Sequence, residues 1–373
     1  MIYLDYQATT PLAPEAKAAM LPWLAQFANP HSSSRAGREA AAAIEVARGQ
    51  VAALLPPGGT TVFTSGATEA LNWALKGVAA NAAAGRKRIV TLATEHAAVL
   101  DSVGWLAGQG LEVIVLPVEP DGLVDLDDVR AAVDERTALV AAMLVNNEIG
   151  VIQPIAEIAT IAHETGALML CDAVQGFGRL KLPPGPDLFA VSAHKVHGPK
   201  GIGALWIGPG VTAPEPLLHG GGQEQGLRSG TLSPMLCAGF GAAAKLAARC
   251  RADDLALVDR LWAAAREALG PGWIVNGSSE ARHRGNLNLR RDGLDTARLL
   301  SELRGIAFSL GSACASGSGR PSHVLRALGL SDREARSSIR LGFGRYTMEA
   351  ELVSACRSIA QAAEVQSPLS VRA

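Results

Sequence analysis

In Val191-Ser192-Ala193-His194-Lys195-Val196-His197-Gly198 a lysine stands just after a serine and a histidine, at the end of an apolar run from Asp187 to Val191. A primary amine beside groups that can bind phosphate is what a Schiff base with a phosphorylated aldehyde requires. Upstream, a second apolar run ends in Cys171-Asp172-Ala173-Val174-Gln175. Its carboxylate, Asp172, is suited to pair with a protonated ring nitrogen. Lysine plus strand-end aspartate is the minimal kit for using pyridoxal 5'-phosphate as an electron sink.

Four further groups could join that chemistry. Thr64-Ser65-Gly66-Ala67-Thr68-Glu69 follows a strand and opens a helix, so its amides and hydroxyl can cup a phosphate or simply cap the helix. His96, in Thr94-Glu95-His96, follows another strand, where it can stack on a ring and relay protons or serve as a satisfied structural histidine. Asn146-Asn147-Glu148 is a polar turn whose amides can bind a phenolic oxygen or a carboxylate, or do neither. Arg340, in the apolar run Ser338-Ile339-Arg340-Leu341-Gly342, needs an anionic partner, either a substrate carboxylate or a structural acid.

One more stretch, Gly311-Ser312-Ala313-Cys314-Ala315-Ser316-Gly317-Ser318-Gly319-Arg320-Pro321, sets a cysteine among small residues with no apolar neighbour able to bury it. Such a thiol suits nucleophilic or carrier work, whereas Cys171 and Cys237 sit in runs that read as packed elements.

The elements that must position these residues alternate. Short β-rich runs at Thr61–Phe63, Arg88–Leu92, Leu111–Val115, Ala138–Val145, Ala167–Leu170, Asp187–Val191 and Gly203–Ile207 are separated by helical stretches such as Thr68–Ala80 and Ala156–Thr165. This pattern predicts an α/β fold with a mostly parallel seven-stranded sheet, with ligands at the carboxyl ends of its strands. Gly220-Gly221-Gly222 reads as a hinge or close-approach loop. A long Ala-rich helix from Pro234 to about Leu269 leads into a smaller α+β unit containing Asn286–Arg290 and Ser338–Gly342 as strands. The expected division is a large unit over 15–248 and a small one formed by 1–14 and 249–373.

Composition narrows the class. The 373 residues are 48% hydrophobic, enough for two cores, and the net charge of −1 gives no reason to expect nucleic acid or an anionic membrane as partner. No apolar run is long enough to span a bilayer, and no leader precedes Ile2-Tyr3-Leu4. Five cysteines without close pairs fit a reducing, cytoplasmic setting.

Taken together, these residues resemble the cysteine desulfurases, members of the class-V aminotransferase group of pyridoxal-phosphate enzymes. The likeness starts at Tyr3-Leu4-Asp5-Tyr6-Gln7-Ala8-Thr9-Thr10-Pro11 and passes through Phe63–Ala70, His96, Asn147, Asp172, Gln175, Lys195 and Arg228-Ser229-Gly230-Thr231. It closes with the Cys314 loop and Arg340. The long Ser/Gly form of that loop is similar to the branch that serves iron–sulfur cluster assembly.

The resemblance implies that Lys195 carries the cofactor as an imine and later moves the α-proton, while Asp172 holds the pyridine nitrogen protonated. Gln175 and Asn147 would contact the ring's hydroxyl edge, and His96 would stack on the ring. Ala67, Thr68, Ser192 and His194 would surround the phosphate, with Thr231 reaching a phosphate in the other subunit of a homodimer. Arg340, with Asn147, would bind the carboxylate of L-cysteine. Cys314 would take the sulfur as a persulfide for an acceptor such as an iron–sulfur scaffold, and alanine would leave. No resident metal is implied, although Cys314 could transiently ligate a partner's cluster. Ser34 and Ser233 depart from the family pattern, where histidine and asparagine respectively are common. Selenocysteine lyase and an ordinary class-V aminotransferase remain as alternatives at this stage.

Overall fold

The computed structural model describes residues 1–311 and 321–366, so Cys314 lies outside the described residues. In chain order the elements begin with β1 (Ile2–Tyr3), α1 (Pro14–Met20), α2 (Arg35–Ala52), β2 (Thr60–Thr64), α3 (Ala67–Asn81), β3 (Arg88–Leu92), α4 (Ala97–Gly108) and β4 (Glu112–Leu116). Next come α5 (Leu126–Ala132), β5 (Thr137–Met143), α6 (Ile155–Glu164), β6 (Leu168–Asp172), β7 (Leu188–Ser192), β8 (Gly203–Ile207) and α7 (Pro234–Leu269). The chain finishes with β9 (Ile274–Val275), β10 (Asn286–Arg290), α8 (Thr296–Glu302), β11 (Ile306–Ala307), β12 (Ser309–Leu310), α9 (His323–Ala327), α10 (Asp332–Arg336), β13 (Ser338–Gly342) and α11 (Glu349–Val365).

The central sheet has seven strands in the order β2-β8-β7-β6-β5-β3-β4. All pairs are parallel except those made by β8, which runs antiparallel to β7 and β2. Strands β3, β5, β7 and β8 are buried at every residue, which is why they read as mostly apolar runs rather than as alternation. One hydrophobic cluster containing Phe63, Val140, Phe189 and Phe240 covers one face. Another containing Leu71, Trp73, Leu139 and Leu205 covers the other.

A four-stranded antiparallel sheet, β12-β13-β10-β9, builds the smaller layer, and β1 pairs in parallel with β11. A third cluster, with Leu4, Leu261, Trp262, Leu287, Ile339 and Ile359, packs around them. Helix α7 joins the layers: Cys237, Phe240 and Ala244 belong to the core against the large sheet, and Leu261, Trp262 and Leu269 to the third cluster. The amino-terminal segment is stitched in beside β13, where Leu4 N–H donates to Ala307 O, Leu4 O accepts from Gly342 N–H, and Asp5 bridges to Gly342. Residues 5–8 are thereby delivered to the edge where the central strands end.

Candidate active site

Because β2, β3, β5, β6 and β7 point the same way, their carboxyl ends open on one edge of the sheet. A cleft of about 540 Å³ lies there. Strand β6 delivers Asp172 to it, β7 delivers Ser192, and the tight 3₁₀ turn Ala193–Lys195 that follows delivers His194 and Lys195. The turn after β2 supplies Ser65 and Gly66 and the start of α3 supplies Ala67 and Thr68, while His96 enters from the loop behind β3. Asn147, Gln175 and Arg340 complete the set. Thus the structure brings together every sequence-predicted site residue among those described, except Thr231. That residue is exposed and lies outside the cleft of its own chain.

The polar groups are poised in distinct ways. Lys195 Nζ donates to the carbonyls of Gln7 and Ala8, the latter at 2.8 Å. Asp172 Oδ1 accepts from Val174 N–H at 2.9 Å, and no described residue engages Oδ2. Burial raises the Asp172 carboxyl, while His96 and Lys195 pull against that rise. Glu95, buried behind His96, is pushed well above the ordinary range by burial and by Asp172.

His96 accepts from Ala98 N–H through Nδ1 at 3.0 Å, which caps α4 and puts the ring proton on Nε2. His194 is driven down to about 4 by burial and by Lys195, Lys200 and Arg179, so its imidazole is neutral at physiological pH. No side chain of the preceding residue, Gly66, caps α3, leaving the amides of Ala67 and Thr68 presented at a helix amino terminus, where an anion is favoured. This close turn depends on Gly203: a Cβ there would sit 2.7 Å from the Gly66 carbonyl carbon and 2.5 Å from Val191 O.

Around Arg340, Nη2 donates to Asp5 Oδ1 at 2.7 Å and to Ser309 Oγ at 2.8 Å, while Nη1 donates to Asn147 O at 2.9 Å. Its Nε is buried without a partner among the described residues. The side-chain amide of Asn147 makes no hydrogen bond to the described residues, whereas Asn146 is consumed in the turn. Asn146 donates to Thr94 O and accepts from the amides of Glu148 and Ile149.

Comparison with known proteins matches the class-V aminotransferase model over residues 2–354. A cysteine desulfurase IscS of Rickettsia bellii is 42% identical over 369 residues, covering 96% of this chain and 90% of that protein. The structure superposes on a NifS-like protein with a TM-score of 0.89 at 32% identity, covering 97% of this chain and 98% of the other. SspA in complex with cysteine gives 0.80 at 33% identity, covering 93% and 100% respectively. The chain belongs to the cysteine desulfurases of the class-V aminotransferase family. Members of this family are pyridoxal-phosphate enzymes. The cleft fits that group: it holds an amine, a strand-end carboxylate with an open oxygen and an uncapped helix terminus, at the right edge of the sheet.

Ser34 and Ser233 are helix caps. Ser34 Oγ accepts from Gly37 N–H to start α2, and Ser233 Oγ accepts from Leu236 N–H to start α7. Sequence reasoning missed Asp5, Gln7, Arg179, Lys200 and Ser309. Asp5 and Gln7 lay within the amino-terminal motif but without any assigned role. Arg179 follows Gln175 by one helical turn, and that spacing was the available signal. Its guanidinium donates to Gln175 O and Oε1 and to Lys195 O, at 3.0, 2.6 and 2.8 Å. It therefore fixes the Gln175 amide so that Nε2 points at Gln7 O.

Proposed function

We infer that the protein removes sulfur from L-cysteine, releasing L-alanine and leaving the sulfur as a persulfide on Cys314. The observation that carries this reading is the convergence of Lys195, Asp172, His96 and Arg340 on one cleft in a cysteine desulfurase chain. Bound pyridoxal phosphate supplies a ring that withdraws electrons from the carbons next to the substrate nitrogen.

Within this chain, Lys195 holds the cofactor and takes and returns the α-proton through Nζ. Asp172 would pair with the ring nitrogen through Oδ2. The amides of Ala67 and Thr68, the Ser192 hydroxyl and the neutral His194 imidazole hold the phosphate, joined by Thr231 from the partner in a homodimer. Gln175, locked by Arg179, and Asn147 would contact the ring hydroxyl. His96 would stack on the ring and move protons through Nε2. Arg340 and the Asn147 amide bind the substrate carboxylate.

The Cys314 thiolate then attacks the substrate sulfur. An S–S bond forms, the C–S bond breaks with its electron pair passing to carbon, and a proton added at that carbon gives alanine. The persulfide goes on to an acceptor protein, for which we propose an iron–sulfur scaffold. Incubation with L-cysteine and dithiothreitol, assaying alanine and sulfide, tests the scheme. The wild type should release both in equal amounts, and Cys314→Ala should lose at least about a hundredfold in sulfide release. Equal sulfide from the two proteins would remove Cys314 from the reaction.

A further inference from the structure

The substrate-side arginine already has a counter-ion inside the cleft. Asp5 Oδ1, Arg340 Nη2 and Ser309 Oγ form a closed triangle with sides of 2.7, 2.8 and 2.7 Å. The arginine side chain is only 5% exposed and the aspartate 20%. Both line the same cavity as Lys195, and Asp5 is held there by its backbone bridge to Gly342. The Arg340 Nε is buried without a partner among the described residues, and no described residue engages Asp5 Oδ2. An amino acid binding through its carboxylate must therefore share one guanidinium with a fixed negative charge.

We propose that Asp5 is a specificity-determining residue that weakens the hold on the α-carboxylate and rejects amino acids bearing a second negative charge. The inference rests on the proposed function, in which Arg340 receives that carboxylate. The physical argument is one of charge count. An empty site holding Arg340 alone would bury an unpaired cation, and Asp5 removes that penalty. The bound α-carboxylate then makes the local sum negative, and an acidic side chain adds a second repulsion in a partly desolvated cleft. Substrate and product share the same α-carboxylate, so a softened hold also lets L-alanine leave.

Calorimetry on the cofactor-loaded enzyme with L-alanine and L-aspartate tests this directly. Asp5→Asn should tighten L-alanine binding roughly threefold and L-aspartate binding by about tenfold or more, raising the aspartate-to-alanine affinity ratio. Asp5→Ser gives the same reading should the amide not be tolerated. Ser309→Ala breaks the triangle without removing charge and should leave the ratio where it is. Weaker alanine binding in Asp5→Asn, an unchanged ratio, an equal shift in Ser309→Ala, or no binding of either amino acid would each overturn the proposal. The readout needs no turnover: a protein that binds these ligands as expected but yields no sulfide from cysteine refutes the desulfurase reading and not this one.

Discussion

At the level of single residues, the cleft is assembled from groups whose neighbours decide their state. Arg179 is the clearest case, because its donors hold both the Gln175 amide and the backbone of Lys195. Replacing it with methionine keeps bulk but frees both, and misplacement of reacting groups by even about 1 Å costs on the order of a hundredfold. Arg179→Met is therefore expected to lower kcat by about tenfold to a hundredfold in the alanine assay, with a smaller change in KM. An unaltered kcat would show that Gln175 and Lys195 are held by other contacts. Sequence alone pointed to Lys195 and Asp172 because Asp172 ends an apolar strand and Lys195 follows one by a single tight turn, a local signal. It could not reveal the Asp5–Arg340 pair, whose members stand 335 positions apart. It also left Arg340 balanced between a substrate ligand and a structural ion pair. The structure places it in an ion pair within the cleft.

Among the elements, the turn between β2 and α3 works only because Gly203 of neighbouring β8 has no side chain. Gly203→Ala pushes a methyl group against Gly66 and Val191, a tight clash in a packed region that costs about 1–3 kcal/mol. It should weaken pyridoxal phosphate binding by more than about tenfold in a dialysis titration, together with a lower Tm. In contrast, Gly104 in α4 has open space around its Cβ position, so Gly104→Ala should stabilise the protein by about 0.5–1 kcal/mol in urea unfolding. The strands of the large sheet were legible as β-rich runs, buried throughout in β3, β5, β7 and β8, and α7 was legible from Pro234 to Leu269 through its proline start and its helix formers. The direction of β8 was not marked by its own residues. Its signal lay in the short link from Ser192 to Gly203, which leaves little room for the crossover that a parallel partner needs. Strands β9, β11 and β12 have two residues each, too few to show a period.

For the molecule as a whole, buried imidazoles set its tolerance of acid. Burial drives His197 down to about 4 and His283 to about 3. In the unfolded chain both would titrate near the ordinary value of about 6.5. The unfolded state therefore takes up protons first as the pH falls, so the stability these residues confer is complete above about 6.5 and is lost progressively towards 4 and 3. At about 1.4 kcal/mol per pKa unit, each contributes on the order of a few kcal/mol to that slope. The urea midpoint should fall steeply between pH 7 and pH 5, and His283→Gln should flatten the decline. An equal slope in the variant would assign the acid sensitivity elsewhere.

Helix α7 carries a consequence of its own. At about 1.5 Å per residue its 36 residues make a rod about 54 Å long, planted at one end beneath the large sheet and at the other in the small one. Two cores threaded on one axle cannot melt independently, since losing either strips the apolar stripe from half of the shaft and exposes it to water. Fluorescence from Trp206 and from Trp262, which sit in the two cores the helix joins, should trace superimposable melting curves in variants keeping one of them as the sole tryptophan.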